Sequence, residues 1–163
     1  MNISAGATLI SSSVIEDENF RKTIVFIAEH NEKGALGFVV NKIFGRPLNQ
    51  LVAFRNGPAF PLYDGGPVDK DHLYFIHRRI DLITGGTPVV DDIYFGGEFK
   101  QVIEHISNKT LPVADIKIFI GYCGWDTGEL EKEIEEGSWI VPDCSNDVVF
   151  SEDPELFSGM FPE

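Results

Sequence analysis

Six consecutive residues, Thr23, Ile24, Val25, Phe26, Ile27 and Ala28, include four β-branched side chains and one aromatic ring. A run of that make-up reads as a buried strand, because branching at Cβ restricts χ1 in a helix and suits a pleated surface. His30, Asn31, Glu32, Lys33 and Gly34 follow as a turn, and residues 35–41, with Leu36, Phe38, Val39 and Val40, read as the return strand. The pair is a hairpin and commits the chain to a β-sheet.

The other elements read around it. Residues 7–11 form a first short strand, and residues 16–19 a polar loop. Pro47 stands where a first helical residue would, and Leu48, Leu51 and Val52 predict a short helix over 47–54. Asp64, Gly65, Gly66 and Pro67 read as a turn before a strand over 73–77, and a second apolar stretch at 91–95 ends in Gly96 and Gly97. Phe99, Val102, Ile103 and Ile106 then lie at offsets 0, 3, 4 and 7, one face of a helix. Residues 115–122 make a strand that runs into a helix, with Asp126 and Glu129 as a capping box and Gly137 as the C-terminal stop. Residues 138–141 and 147–150 predict two further strands, and Pro154 a last helix. No repeat or linker interrupts residues 1–163, so one domain is expected. Strands and helices mix without strict βαβ alternation, so its class is α+β.

Composition narrows the function. The 163 residues carry 13 basic and 26 acidic side chains, so the formal charge is 13 − 26 = −13. A chain this acidic is repelled by phosphate backbones, and direct nucleic-acid binding is not expected. No segment approaches the ~18 consecutive apolar residues of a membrane helix, and the start lacks the basic and apolar parts of a secretion signal. With only Cys123 and Cys144 and no closely spaced pair, a reducing cytoplasm is the expected compartment. A bridge between the two needs a fold that brings them together.

Candidate chemistry concentrates at two places. The Gly65–Gly66 pair reads as a turn with positive φ, or as a backbone that approaches an anionic ligand. The segment 121–135, with Gly121, Tyr122, Gly124, Trp125, Gly128 and Glu129, reads as a strand-to-helix junction whose aromatics either pack on the core or meet a ligand or partner. Cys123, close to a helix start, is a candidate nucleophile with one of His30, His72, His77 or His105 as its base. The histidines lack metal-binding spacing, so neither metal nor cofactor is expected. Glu129, Glu131, Glu133, Glu135 and Glu136 form a solvated face, or a docking surface for a basic partner.

Several of these motifs together resemble the YqgE/AlgH family. They are Leu9 and Ile10; residues 20–27 with Glu29, His30 and Asn31; residues 34–41; Gly65, Gly66, Pro67 and Val68; and residues 121–125 with 128–133. The resemblance spans about residues 5–150. It implies one α+β domain with a bulged, strongly curved, mixed or antiparallel sheet and flanking helices. It implies little about activity, although some members are labelled transcriptional regulators of alginate production. Cys123 stands where the family commonly has Ala or Ser, Glu129 where it has Gln, and Lys42–Ile43 where it has Arg-Pro. The leading expectation is a non-enzymatic regulatory module binding a small molecule or a protein, with its site around Asn41, Gly65, Gly66 and Pro67 and residues 121–129. The alternatives are a transcriptional regulator acting indirectly and a hydrolase or transferase using Cys123. The oligomeric state stays open.

Overall fold

The computed structural model describes residues 3–18, 20–143 and 146–161. Cys144, and with it a bridge to Cys123, lies outside them, as do Met1, Asn2 and Asn19. Nine strands form one sheet: β1 (Thr8–Ser11), β2 (Ile24–Asn31), β3 (Gly34–Val39), β4 (Leu62–Asp64), β5 (Val68–His77), β6 (Thr87–Val90), β7 (Ile93–Phe95), β8 (Ile116–Asp126) and β9 (Trp139–Ile140). The order is β6-β7-β5-β8-β3-β2-β1-β9, with β4 also paired to β8. Every ladder is antiparallel except β4 with β8, so the sheet is mixed. Three helices accompany it: α1 (Phe99–Ser107), α2 (Glu129–Glu135) and α3 (Pro154–Gly159). No helix among the described residues is long and apolar enough to cross a membrane.

The sheet is curved as well as bulged. Register shifts interrupt the β2–β3, β5–β8 and β6–β7 ladders, and bulges increase local twist and bend. Gly6, just before β1, lies so close to Val90 of β6 that a Cβ there would sit 2.5 Å from the valine Cβ. Opposite ends of the sheet therefore meet. The inner face packs Ile10, Phe26, Phe38, Ile76 and Phe119 into one core, with the Phe38 and Phe119 rings stacked at 4.4 Å. The outer face is covered in two halves, by α1 over Phe75, Ile118 and Ile120, and by α2 with Trp139 over Val25, Val39 and Cys123.

Strand β8 is the axis of this arrangement. Ile118 and Ile120 pair with Leu62 and Asp64 of β4 on one edge and with Phe75 and Leu73 of β5 on the other. Strands β4 and β5 are joined only by Gly65, Gly66 and Pro67, so that connection must cross β8. It does so in direct backbone contact. The Gly65 N–H donates to the Ile120 carbonyl at 2.9 Å, and the Val39 N–H to the Gly65 carbonyl at 2.9 Å. A Cβ on Gly66, whose φ is +151°, would lie 2.3 Å from the Tyr122 carbonyl carbon, and one on Gly121 would lie 2.4 Å from the Gly66 oxygen. No side chain fits either position.

Several local expectations need correction. Residues 147–150 do not form a strand; Asn146–Phe150 is a 3-10 turn. A strand would face alternate side chains outward, whereas the turn buries Val148, Val149 and Phe150 together. The expected helix over 47–54 is two single 3-10 turns, Leu48–Gln50 and Val52–Phe54, broken by the extended Leu51 at ψ 137°. Only Leu48 is buried there, so no apolar stripe holds a longer helix. Strand β8 continues through Asp126, and Asp126 caps nothing: Gly128, in a left-handed conformation at φ 78°, is the N-cap of α2. Gly137 ends that helix with φ 84°, as expected.

The crossing predicts a sharp contrast between two glycine substitutions. Gly66→Ala should lower stability to urea by about 3 kcal/mol or more, through backbone collision and φ strain. Gly45→Ala, where a Cβ would meet nothing within 4 Å, should change it by less than about 0.5 kcal/mol. Equal unfolding midpoints for the two variants would show that the crossing can relax.

Candidate functional site

The residues singled out in the sequence do not converge. Gly65 and Gly121 are buried in the crossing itself, where their lack of Cβ serves backbone contact. Gly66 and Pro67 border a recess of about 70 Å³ beside Lys42, Asp64 and Lys70. Tyr122, Gly124 and Trp125 line an open groove over the β2–β3 turn, and Gly128 and Glu129 are exposed at the start of α2. Of these residues only Asn41 borders a separate cleft of about 540 Å³.

Trp125 is a core residue, with 7% of its surface exposed. Its indole N–H and that of Trp139 both donate to Glu133 Oε1, at 3.0 and 2.9 Å, and the two rings meet edge to face. Glu133 thus belongs to the packing of α2 on the sheet, and the acidic helix is not uniformly solvated. Cys123 is also buried. Burial, with the Asp64 carboxylate adding to it, pushes its thiol up to about 12, and its Sγ lies 3.5 Å from the Gly65 carbonyl. The thiolate that nucleophilic attack requires is suppressed there, and no bond from Cys123 to a histidine is present among the described residues.

The histidines are each engaged elsewhere. His77 is fully buried and neutral in its bonding: Nδ1 accepts from the Arg79 N–H at 3.0 Å and Nε2 donates to the Gly96 carbonyl at 3.2 Å. Burial holds its pKa below the ordinary value. His30 meets Glu131 at 2.6 Å, and His105 meets the Thr110 hydroxyl at 2.8 Å. His72 lies in the bulge of β5 against Asp69, which also accepts from the Tyr74 hydroxyl. That hydroxyl's bond to Asp69, more than burial, pushes the Tyr74 phenol up to about 12. No group of three or more metal-ligating side chains occurs among the described residues.

The cleft that Asn41 borders encloses about 540 Å³ between the start of β2, the β3–β4 segment and the C-terminal segment. Ile43, Tyr63 and Phe157 give it apolar walls, while Lys22, Asn41 and Glu152 supply polar groups. Asn41 is held rigidly: its Oδ1 accepts from the Ile24 N–H at 2.9 Å and its Nδ2 donates to the Lys22 carbonyl at 3.0 Å. Tyr63 donates to Glu152 at 3.4 Å. Burial first, and the Glu152 charge second, move its phenol pKa upward.

Beneath Tyr63 lies a residue that the sequence reading missed. Lys117, on β8, is 2% exposed. Its ammonium donates to the Val40 carbonyl at 2.9 Å and the Ser151 carbonyl at 2.7 Å, and sits 4.2 Å from the centre of the Tyr63 ring and 5.5 Å from that of Phe157. It ties the end of β3 to the C-terminal wall of the cleft. Burial pushes its pKa down to about 7, with Glu152 acting in the opposite sense. A lysine between Ile116 and Ile118 in a strand was the available signal, since one face of β8 had to receive it.

Comparison with known proteins gives a consistent picture. A family profile described as AlgH-like matches residues 8–161. A UPF0301 protein of Chlorobium phaeobacteroides is 37% identical over 150 residues, covering 92% of this chain and 80% of the relative. One from Cytophaga hutchinsonii is 33% identical over 154 residues, covering 94% and 85%. The solution structure of the AlgH protein from Pseudomonas aeruginosa matches with a TM-score of 0.74 and 26% identity, over 95% of this chain and 87% of that one. A crystal structure of a Corynebacterium diphtheriae protein shares the fold at a TM-score of 0.70 and 21% identity, over 90% and 80%.

The buried ammonium sets a testable pH dependence. The folded pKa of Lys117, about 7, lies below the ordinary 10.5, so between those values the unfolded chain binds the extra proton and stability rises with pH. The penalty is fully present below pH 7. Urea unfolding at intervals from pH 7 to 10 should show wild type gaining stability relative to Lys117→Met. A flat difference across that range would place the Lys117 pKa near its unfolded value.

Proposed function

The chain belongs to the AlgH-like family, a fold membership that by itself assigns no reaction, and we propose that it is a non-enzymatic regulatory module binding a small molecule in the cleft beside Tyr63. The observation that carries this reading is the cleft itself. It has the size of a small-molecule site, apolar walls, and a few polar groups fixed by the fold. Two groups with displaced pKa values are near it, Tyr63 in its lining and the buried Lys117 behind the Tyr63 ring.

A role in binding rather than turnover is favoured by the state of the potential catalysts. The buried thiol of Cys123 is poorly disposed to ionise, and the histidines are engaged in local bonds away from it. The charge of −13 makes an indirect influence on transcription more reasonable than contact with DNA.

Ile43 offers a clean test, because its side chain lines the cleft yet is 67% exposed. Protein purified gently from bacterial lysate should carry a bound small molecule in native mass spectrometry. Ile43→Asp should lose at least about tenfold in retained ligand, as expected for a charge placed on an apolar contact surface, with an unchanged unfolding midpoint. Equal retention by this variant and wild type would move the binding site elsewhere.

A further inference from the structure

Two neighbouring cavities share a wall, and their linings differ in kind. The 540 Å³ cleft is walled largely by Ile43, Tyr63 and Phe157. Next to it, with Lys22 and Phe161 common to both, is a recess of about 180 Å³ lined also by Ser11, Ser12, Ser13 and Arg21. The Lys22 ammonium lies 5.7 Å from the centre of the Phe161 ring, on the boundary between the two spaces.

The charge at this place is the reverse of the whole. The chain has twice as many acidic as basic side chains, yet Arg21 and Lys22 line the recess and none of its described lining residues is acidic. Among the described lining residues of both cavities, Arg21 and Lys22 stand against Glu152 alone, and the buried Lys117 ammonium lies behind Tyr63. Arg21 also meets Glu18 at 3.3 Å, but with side-chain exposures of 58% and 87% that pair is weak and readily exchanged for a ligand. The serines are partly committed: Ser11 Oγ accepts from the Thr23 N–H, and Ser12 Oγ donates to the Gly137 carbonyl and accepts from the Val14 N–H. They make the recess polar without adding charge.

We propose that the ligand is an anionic amphiphile, with its apolar body in the cleft against Tyr63, Ile43 and Phe157 and its carboxylate or phosphate head in the recess between Arg21, Lys22 and the serines. This rests on the cleft being the binding site. Arginine and lysine together suit either head, the guanidinium by paired hydrogen bonds and the ammonium as a point charge. A net charge of −13 repels anions in general, so a preference for them has to arise locally.

The test compares four probes of equal chain length below their micelle-forming concentrations: decanoate, decyl phosphate, decanol and decyltrimethylammonium. Calorimetry gives affinity, and amide NMR shifts at Lys22, Asn41 and Tyr63 give location. One or both anions should bind with at least about tenfold lower Kd than the alcohol and the cation, and the better of the two identifies the head. Arg21→Gln with Lys22→Gln should bring anion affinity to within about twofold of the alcohol's while leaving alcohol binding intact. Glu152→Gln should strengthen anion binding, a gain that no loss of fold could mimic. If the alcohol binds in the cleft as tightly as the anions, the anionic head is overturned and the cleft survives as the site. If no probe shifts these amides, both readings fall.

Discussion

A three-residue connection that has to pass directly over a strand governs this fold. Strands β4 and β5 flank β8 on opposite edges, and Gly65, Gly66 and Pro67 carry the chain between them. At that place β8 and the connection touch backbone to backbone, so Gly65, Gly66 and Gly121 must all lack a Cβ. The crossing also fixes what lies beside it. It brings Cys123 under the Gly65 carbonyl, orders the end of β3 through the Val39 N–H, and leaves β4 between β8 and the segment that follows β3. Tyr63, one residue before the end of β4, is thereby placed at the floor of the cleft.

The opposite wall of that cleft is attached by different forces. The C-terminal segment forms no strand among its described residues 146–161; it docks through the buried side chains Val148, Val149, Phe150 and Phe157 and through polar ties. Arg78 pairs with Asp147 at 2.7 Å and stacks over the Phe150 ring at 4.6 Å, and Lys117 reaches the Ser151 carbonyl. A buried ammonium held by two carbonyls and two aromatic faces is well coordinated, but among the described residues no carboxylate lies at contact distance. Its desolvation is only partly offset, which is why its proton is held loosely.

Much of the frame was legible because local chemistry and global fold agree. The hairpin at 24–39, the amphipathic helix α1, the glycine stop at 137 and the proline that opens α3 each follow from residues a few positions apart. The α+β class follows from the same agreement, whereas the bulged, mixed sheet was implied by the family resemblance alone. What escaped was set by distant partners. The Gly65–Gly66 pair looked like a turn or a ligand nest, since nothing in those residues announces that β8 passes beneath them. Trp125 was open between core packing and contact with a ligand or partner, and the choice of the core rests on Glu133, eight residues on, which receives its N–H and that of Trp139. Val148, Val149 and Phe150 had the composition of a strand, but no alternation of burial was needed where all three could plug the inner core.

The candidate site was the least legible part for the same reason. Its residues come from four separated stretches, at 11–22, 41–43, 63 and 152–161, and no motif spans them. Only Asn41 was nominated beforehand, and its amide is occupied with the backbone of residues 22 and 24, so it shapes the cleft as much as it faces it. The decisive properties, an apolar floor beside a basic recess in an acidic protein, are sums over side chains that the fold brings together. A chain of net charge −13 could have placed any of its carboxylates around this opening. That its described lining shows Arg21 and Lys22, with Glu152 as the one acidic side chain among them and Glu18 paired to Arg21 from outside the lining, makes a basic lining in a cavity of ligand size, and such a lining has a physical consequence only for something charged that enters it.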